Sequence, residues 1–219
     1  MQTLGLRPTF PATGYGYLEV GEVRTETTAG PIHAVARYVE KPARPAANRF
    51  VQGGRHLWNL GTFAFRPQVF LDAFAKHFPE GARAFAPVLA TKAYKPRLPA
   101  AYRAVPSISV DYAVMEKCGD LEVLATSFDW DDLGSWDAVA RHARANAEGN
   151  VLGSNDLAVD AVDCFVRAED GTSIALLGVS DLIVVRTKDA LLVARRGRGE
   201  DVRAVYEAWR KQGREDLLR

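Results

Sequence analysis

Asn59 lies inside an otherwise apolar stretch, HLWNLGTFAF (56–65), beside Trp58 and two residues before Gly61. An amide is a poor strand residue and costly to bury, because it must find partners away from water. It is either a satisfied core amide or a group that holds a polar ligand. Three further stretches share this ambiguity. GYGYLEV (14–20) suits a hairpin turn, but its glycines would also let backbone approach a ligand closely. VEKP (39–42) reads as a surface strand end with an exposed ion pair. Alternatively, Glu40 accepts hydrogen bonds from sugar hydroxyls while Lys41 neutralises a phosphate. WDDLGSW (130–136) sets two adjacent carboxylates, Asp131 and Asp132, before a glycine turn. They serve as turn and helix cap, or one of them ligates magnesium, which prefers hard oxygen donors and substrate phosphates. Each stretch alone favours the structural reading. All four fall at strand ends, where α/β sheets bind ligands.

The intervening sequence predicts the elements that carry them. Strands are expected at Thr3–Leu6, Tyr15–Val20, IHAVARYVEKP (stopped by Pro42) and LEVLATSFDW, and a short helix at PAANRFVQGG, ended by Gly53 and Gly54. Val69, Phe70, Ala73, Phe74 and His77 recur at helical spacing until Pro79, and a further helix is expected over 81–94. SISVDYAVMEKCGD predicts a helix capped by Ser109 or Asp111, running through Lys117 to a stop at Gly119. Trp136, Val139, Ala140 and Ala143 define one buried helix face. Beyond about Gly149, short strand-like runs alternate with Asp/Gly turns, which suits a small β-solenoid, and a last helix spans about Asp201–Gln212. The expected organisation is an α/β domain over 1–148 and a small β domain with a terminal helix over 149–219.

Composition narrows the classes of function. Lys and Arg number 28 against 27 Asp and Glu, so no electrostatic footprint points to nucleic acid or an anionic membrane. Cys118 and Cys164 belong to no C-x-x-C pair, and the histidines show no metal-ligand spacing. There is no apolar run long enough to cross a membrane and no visible signal peptide, so a cytoplasmic protein is expected.

The succession GYGY, VEKP, WNLGTF, SVDYAVMEK and WDDLGSW resembles the second half of bacterial mannose-1-phosphate guanylyltransferases, over nearly the whole chain. TLGLRPTFPATGYGYLEV and SVDYAVMEK are especially close to that family's wording. The resemblance implies a Rossmann-like nucleotidyltransferase sheet followed by a left-handed β-helical segment. It implies transfer of GMP from GTP to mannose 1-phosphate with Mg2+, giving GDP-mannose and pyrophosphate. Gly16, Tyr17, Glu40 and Asn59 fall where the family holds the sugar, and Lys41 where it meets phosphates. Asp132 matches the magnesium ligand and Asp131 the variable acid. The role of Asp111 stays open between cap and ligand contact. A different sugar 1-phosphate, or a non-catalytic sugar-phosphate-binding remnant, is the alternative, and the Trp209 helix could serve a homo-oligomer. The sequence contains no G-G-x-G-x-R-L-x-P loop, no following Pro-Lys and no Asp-His pair. The expectation is therefore a C-terminal two-thirds lacking the N-terminal nucleotide-binding part. Such a chain would have an incomplete sheet with unpaired strands, low stability and no activity of its own.

Overall fold

Alternating apolar and polar residues, rich in aromatic and β-branched types, form β1 (Gln2–Leu6), β2 (Gly16–Thr27), β3 (Gly30–Val39) and β4 (His56–Ala64). The structure, a computed structural model, describes residues 1–217 and divides into two units, Met1–Asp129 and Trp130–Arg219. In the first unit these four strands join β5 (Glu122–Thr126) in the order β1-β4-β2-β3-β5 and close into a barrel. Only β1 with β5 is parallel; the other neighbours are antiparallel. This corrects the expectation of an incomplete Rossmann-like sheet with unpaired strands. The cause is the long β2–β3 hairpin, whose register shifts at three places between Glu19 and Thr25. Such irregularities bend an antiparallel ribbon, and the bent ribbon brings Ile32, His33 and Ala34 onto Leu124, Val123 and Glu122 of β5.

Side-chain alternation then sorts the two faces. Leu18, Val35, Tyr38, Leu57, Met115, Leu121 and Val123 make one buried cluster. Gly5 belongs to the same packing, since a Cβ there would come 2.7 Å from Val123 Cγ2 and 2.9 Å from Leu57 Cδ1. On the other face, Tyr17 packs against Phe50 and Trp58 meets the rings of Phe10 and Tyr15, at centroid distances of 5.3, 4.8 and 5.1 Å.

Helices cover what the strands leave. The expected helix after VEKP is α1 (Arg44–Gly53), ended by Gly54 at φ 65°. Pro79 ends α2 (Pro67–His77) and at once begins α3 (Pro79–Leu89), since a first-turn proline forfeits no helical hydrogen bond. A further helix, α4 (Leu98–Arg103), is not anticipated by the sequence. The helix expected through Lys117 is instead the single turn α5 (Val110–Ala113) and a 3-10 turn at Met115–Lys117, broken at Val114. Its cap is Ser109, which accepts from the Tyr112 N–H.

The second unit starts with α6 (Trp136–His142), capped by Ser135, whose Trp136, Val139 and Ala140 pack with Phe165, Ile183 and Val185. Next come β6 (Leu157–Val159), β7 (Phe165–Ala168), β8 (Ala175–Leu177), β9 (Leu182–Arg186) and β10 (Leu191–Arg195). Parallel pairing joins Leu157 to Ala175, Val162 to Ser180 and Phe165 to Ile183, each to a residue 18 further on. That recurring step is the stacking of solenoid coils; the parallel bridge from Val151 to Phe165 spans a shorter one. β10 turns back antiparallel on β9, so the stacking stops there. Buried Asn150 ties the first coil, donating to the Ala161 carbonyl at 2.7 Å and accepting from the Cys164 N–H at 2.9 Å. The terminal helix α7 (Val202–Lys211) has no buried residue, and Val205 and Tyr206 stay exposed.

Substituting Gly5→Ala should lower the stability of the chain by about 1–3 kcal/mol, because the added methyl overpacks the Val123–Leu57 contact. A urea unfolding midpoint equal to that of the parent would show that this packing is not tight.

Candidate functional site

Gly16 of β2 stands directly opposite Asn59 of β4. Tyr38 lies in β3, and Glu40 follows the strand's last residue, Val39. The Tyr38 hydroxyl joins them. It lies 2.7 Å from Glu40 Oε2, 3.0 Å from Asp111 Oδ1 and 2.8 Å from Asn59 Nδ2. Asn59 Oδ1 accepts from Thr3 Oγ1 at 2.8 Å and from the Gly61 N–H at 3.3 Å. Glu40 is fixed again through its backbone, whose N–H donates to Glu116 Oε1 at 2.8 Å. Gly16 gives this cluster its room, since a Cβ there would sit 2.5 Å from Glu40 Oε2 and 2.7 Å from the Tyr38 ring.

Burial pushes the Tyr38 hydroxyl well above the usual tyrosine range, with its hydrogen bond to Glu40 and the Glu40 and Asp111 charges adding to it. It therefore stays protonated at neutral pH. Burial likewise raises the Glu40 carboxyl; the Tyr38 hydrogen bond and Lys41 work against the rise, Asp111 and Glu116 with it. Lys41 is held at φ 46°, a left-handed conformation unusual for a lysine. Its ammonium lies 3.8 Å from Glu40 Oε1 and is half exposed. Gly16, Glu40 and Asn59 are thus brought together with Lys41 beside them. Tyr17 has its side chain in the core, its hydroxyl donating to the Ala12 carbonyl at 2.9 Å, and offers no side-chain group for a ligand.

Asp131 and Asp132 belong to the second unit and behave differently. Asp131, with a side chain only 7% exposed, accepts from Arg141 Nη2 at 2.7 Å and lies 3.2 Å from His142 Nε2. Its other oxygen accepts from the Leu133 N–H, so it anchors the turn to α6. Asp132 is exposed; Oδ1 accepts from the Gly134 N–H at 2.9 Å. No group of three His, Cys, Asp or Glu able to hold a metal occurs among the described residues. Asp132, exposed, offers the hard carboxylate oxygen chemistry that magnesium prefers.

Sequence reasoning missed Tyr38 and Glu116 and left Asp111 undecided. The Y-x-E spacing on a predicted strand was the available signal for Tyr38, because residues two apart share a face. Nothing local in the sequence marks Glu116 or Asp111 as members of this cluster, since 76 and 73 positions separate the contacting pairs Glu40–Glu116 and Tyr38–Asp111.

The nucleotidyl transferase family model matches residues 1–149. The chain belongs to the nucleotidyl transferase family. Residues 154–208 match the MannoseP isomerase/GMP-like beta-helix domain. A mannose-1-phosphate guanylyltransferase of Klebsiella pneumoniae is 35% identical over 221 residues, covering 99% of this chain and 46% of that protein. The xanthan biosynthesis protein XanB of Xanthomonas campestris is 34% identical over 98% of this chain and 45% of its own length. A crystal structure described as mannose-1-phosphate geranyltransferase from Thermus thermophilus superposes with a TM-score of 0.77 at 34% identity. That alignment covers 95% of this chain and 60% of the Thermus one. The nucleotidyl transferase chain thus spans about half the length of the curated relatives it matches. These findings overturn the expectation of a C-terminal two-thirds without the nucleotide-binding part. The nucleotidyl transferase match begins at residue 1, and the share of the relatives spanned is 46%, not two-thirds. Among the described residues no helix is long and apolar enough to cross a membrane.

The different anchoring of the two aspartates gives a prediction. Asp131→Ala should destabilise the chain by about 1.5–3 kcal/mol, the range for hydrogen bonds to charged partners, while Asp132→Ala should stay within about 0.5 kcal/mol. Thermal unfolding followed by circular dichroism checks both, and equal losses would remove the distinction.

Proposed function

We propose that the cluster around Tyr38 binds mannose 1-phosphate and that the site serves transfer of GMP from GTP to that sugar phosphate, giving GDP-mannose and pyrophosphate. The observation that carries the reading is the convergence of an amide (Asn59), a carboxyl (Glu40) and a glycine (Gly16) whose missing side chain opens space against them. Sugar hydroxyls need a carboxylate and an amide as partners, and these residues supply both chemistries. In this reading Tyr17 contributes through its backbone, residues 1–148 hold the sugar, and residues 149–219 form left-handed coils with α7 open to association between copies. The protein is read as cytoplasmic.

The chemistry asks little of a general base. A sugar phosphate is already an anion at neutral pH, so one of its oxygens attacks the α-phosphorus of GTP, the bond to the β-phosphate oxygen breaks, and pyrophosphate leaves. The difficulty is electrostatic: anions must be brought together and held in line. Lys41, half exposed and close to Glu40, is assigned to a phosphate; Asp132 is assigned as the carboxylate ligand of magnesium. When bound, that ion supplies charge neutralisation for the phosphates. Glu40 and Asn59 orient the hexose, and Lys41 keeps the phosphate oxygen directed outward from them.

Isothermal titration of the chain with mannose 1-phosphate should give saturable binding. Glu40→Gln should weaken it roughly 10- to 150-fold, the equivalent of losing hydrogen bonds to a charged acceptor. Lys41→Ala should weaken mannose 1-phosphate while leaving affinity for mannose unchanged. Absence of saturable binding to the parent chain would overturn the reading, as would an unchanged constant in Glu40→Gln.

A further inference from the structure

The Tyr38 hydroxyl has one proton and three partners. Asn59 Nδ2, 2.8 Å away, can only donate, and its orientation is fixed because Asn59 Oδ1 accepts from Thr3 and Gly61. That contact occupies one oxygen lone pair. The hydroxyl then donates to one carboxyl, and the other, at 2.7 Å for Glu40 or 3.0 Å for Asp111, can bond to it only by bringing a proton of its own. Were both ionised, one carboxylate would set its lone pairs against those of the hydroxyl in a partly buried site, an arrangement that costs rather than contributes energy.

We infer that Tyr38 couples Glu40 and Asp111 into a pair that holds a single proton, and that Tyr38 thereby acts as a positioning residue for Glu40. The positioning role rests on the sugar-site reading above; the shared proton does not. The surroundings support it. Glu116 Oε1 lies on the Glu40 N–H, the Tyr112 hydroxyl donates to the Glu40 carbonyl at 3.3 Å, and Lys41 is the facing ammonium, at 3.8 Å. Glu40, Asp111 and Glu116 thus crowd together against a half-exposed Lys41, and crowded carboxylates retain a proton. Coupled groups titrate as a pair, so the proton belongs to both. Since the Glu40 carboxyl is raised in the folded chain, the proton-dependent bonding is complete at low pH and is lost as pH rises through the pair's upper step. Above that step Tyr38 can hold only one of the two carboxylates.

The test uses the whole chain with 13C-labelled Asp and Glu carboxyls, titrated by NMR from pH 4 to 9, together with mannose 1-phosphate affinity over the same range. The ligand's own second ionisation lies at about 6, so each affinity is referred to the dianion. The parent should show two linked carboxyl steps at this pair, the upper one above the ordinary carboxylate range, with affinity falling as pH rises through it. Tyr38→Phe, which removes one oxygen and keeps the ring, should unlink the steps and weaken binding at least 10-fold at pH 7. Asp111→Asn, whose amide can donate to the hydroxyl without a titrating proton, and Asp111→Ala, which leaves the hydroxyl a single carboxylate to hold, should both keep affinity and abolish its fall with pH. Independent titration of both carboxyls in the ordinary range in the parent overturns the shared proton. Equal mannose 1-phosphate affinity in the parent and Tyr38→Phe overturns the positioning role. Linked titration in a parent that does not bind mannose 1-phosphate sustains the shared proton and overturns the sugar reading.

Discussion

The five residues of β1 are gripped on both sides, by β4 in antiparallel pairing and by β5 in parallel pairing. The interior of the first unit depends on that grip. Thr3 and Gly5 share one face of β1, and each meets a different demand there. Gly5 leaves out a side chain so that Val123 and Leu57 can close over the strand. Thr3, buried, turns its hydroxyl to Asn59 at 2.8 Å. A slip of one residue would exchange these with Leu4 and Leu6, put bulk where no space exists, and leave the Asn59 oxygen without its partner. The apolar core and the polar cluster are therefore two consequences of one register. Leu18 and Leu57 lead into Gly16 and Asn59 along the same strands, so the apolar packing fixes the backbone from which the polar groups project.

The strand positions and most helices were legible in the sequence, because alternation, proline and glycine are local signals. Gly54, Pro67, Ser109 and Ser135 each mark an element end by a mechanism confined to a few residues. Closure of the barrel was not legible. It depends on irregular pairing within β2–β3 that lets β3 meet β5, and no residue type announces a bend spread over Glu19 to Thr25. The 109–117 segment failed for a related reason: Val114 and Met115 are almost fully buried, and burying them breaks the helix that their local pattern favours. In the second unit, the 18-residue step was visible only as a texture of short runs, since the apolar positions that stack are separated by turns of varied composition.

The candidate site was half legible. Asn59, Glu40 and Gly16 drew attention as residues out of place, an amide in an apolar strand, a charge at a strand end and a glycine at a strand start. What joins them, Tyr38, looks ordinary in sequence, because a tyrosine in a strand needs no explanation. Its importance comes from hydrogen-bond counting in three dimensions, where one hydroxyl faces two carboxyls and an amide. The question that Asn59 raises, core amide or ligand group, is thus not a choice between exclusive answers. Its oxygen is satisfied by Thr3 and Gly61 and one amide proton by Tyr38, which holds the side chain rigid.

An amide nitrogen carries two protons, so rigidity on one side leaves a donor with a fixed direction on the other. A group of that kind is preorganised: its ordering cost is met in folding, not in binding. The same holds for Glu40, pinned by Tyr38 through its carboxyl and by Glu116 through its backbone N–H. The polar groups that make this part of the barrel expensive to fold are in this way the ones that the proposed sugar site uses. The network that satisfies them within the fold also sets their geometry.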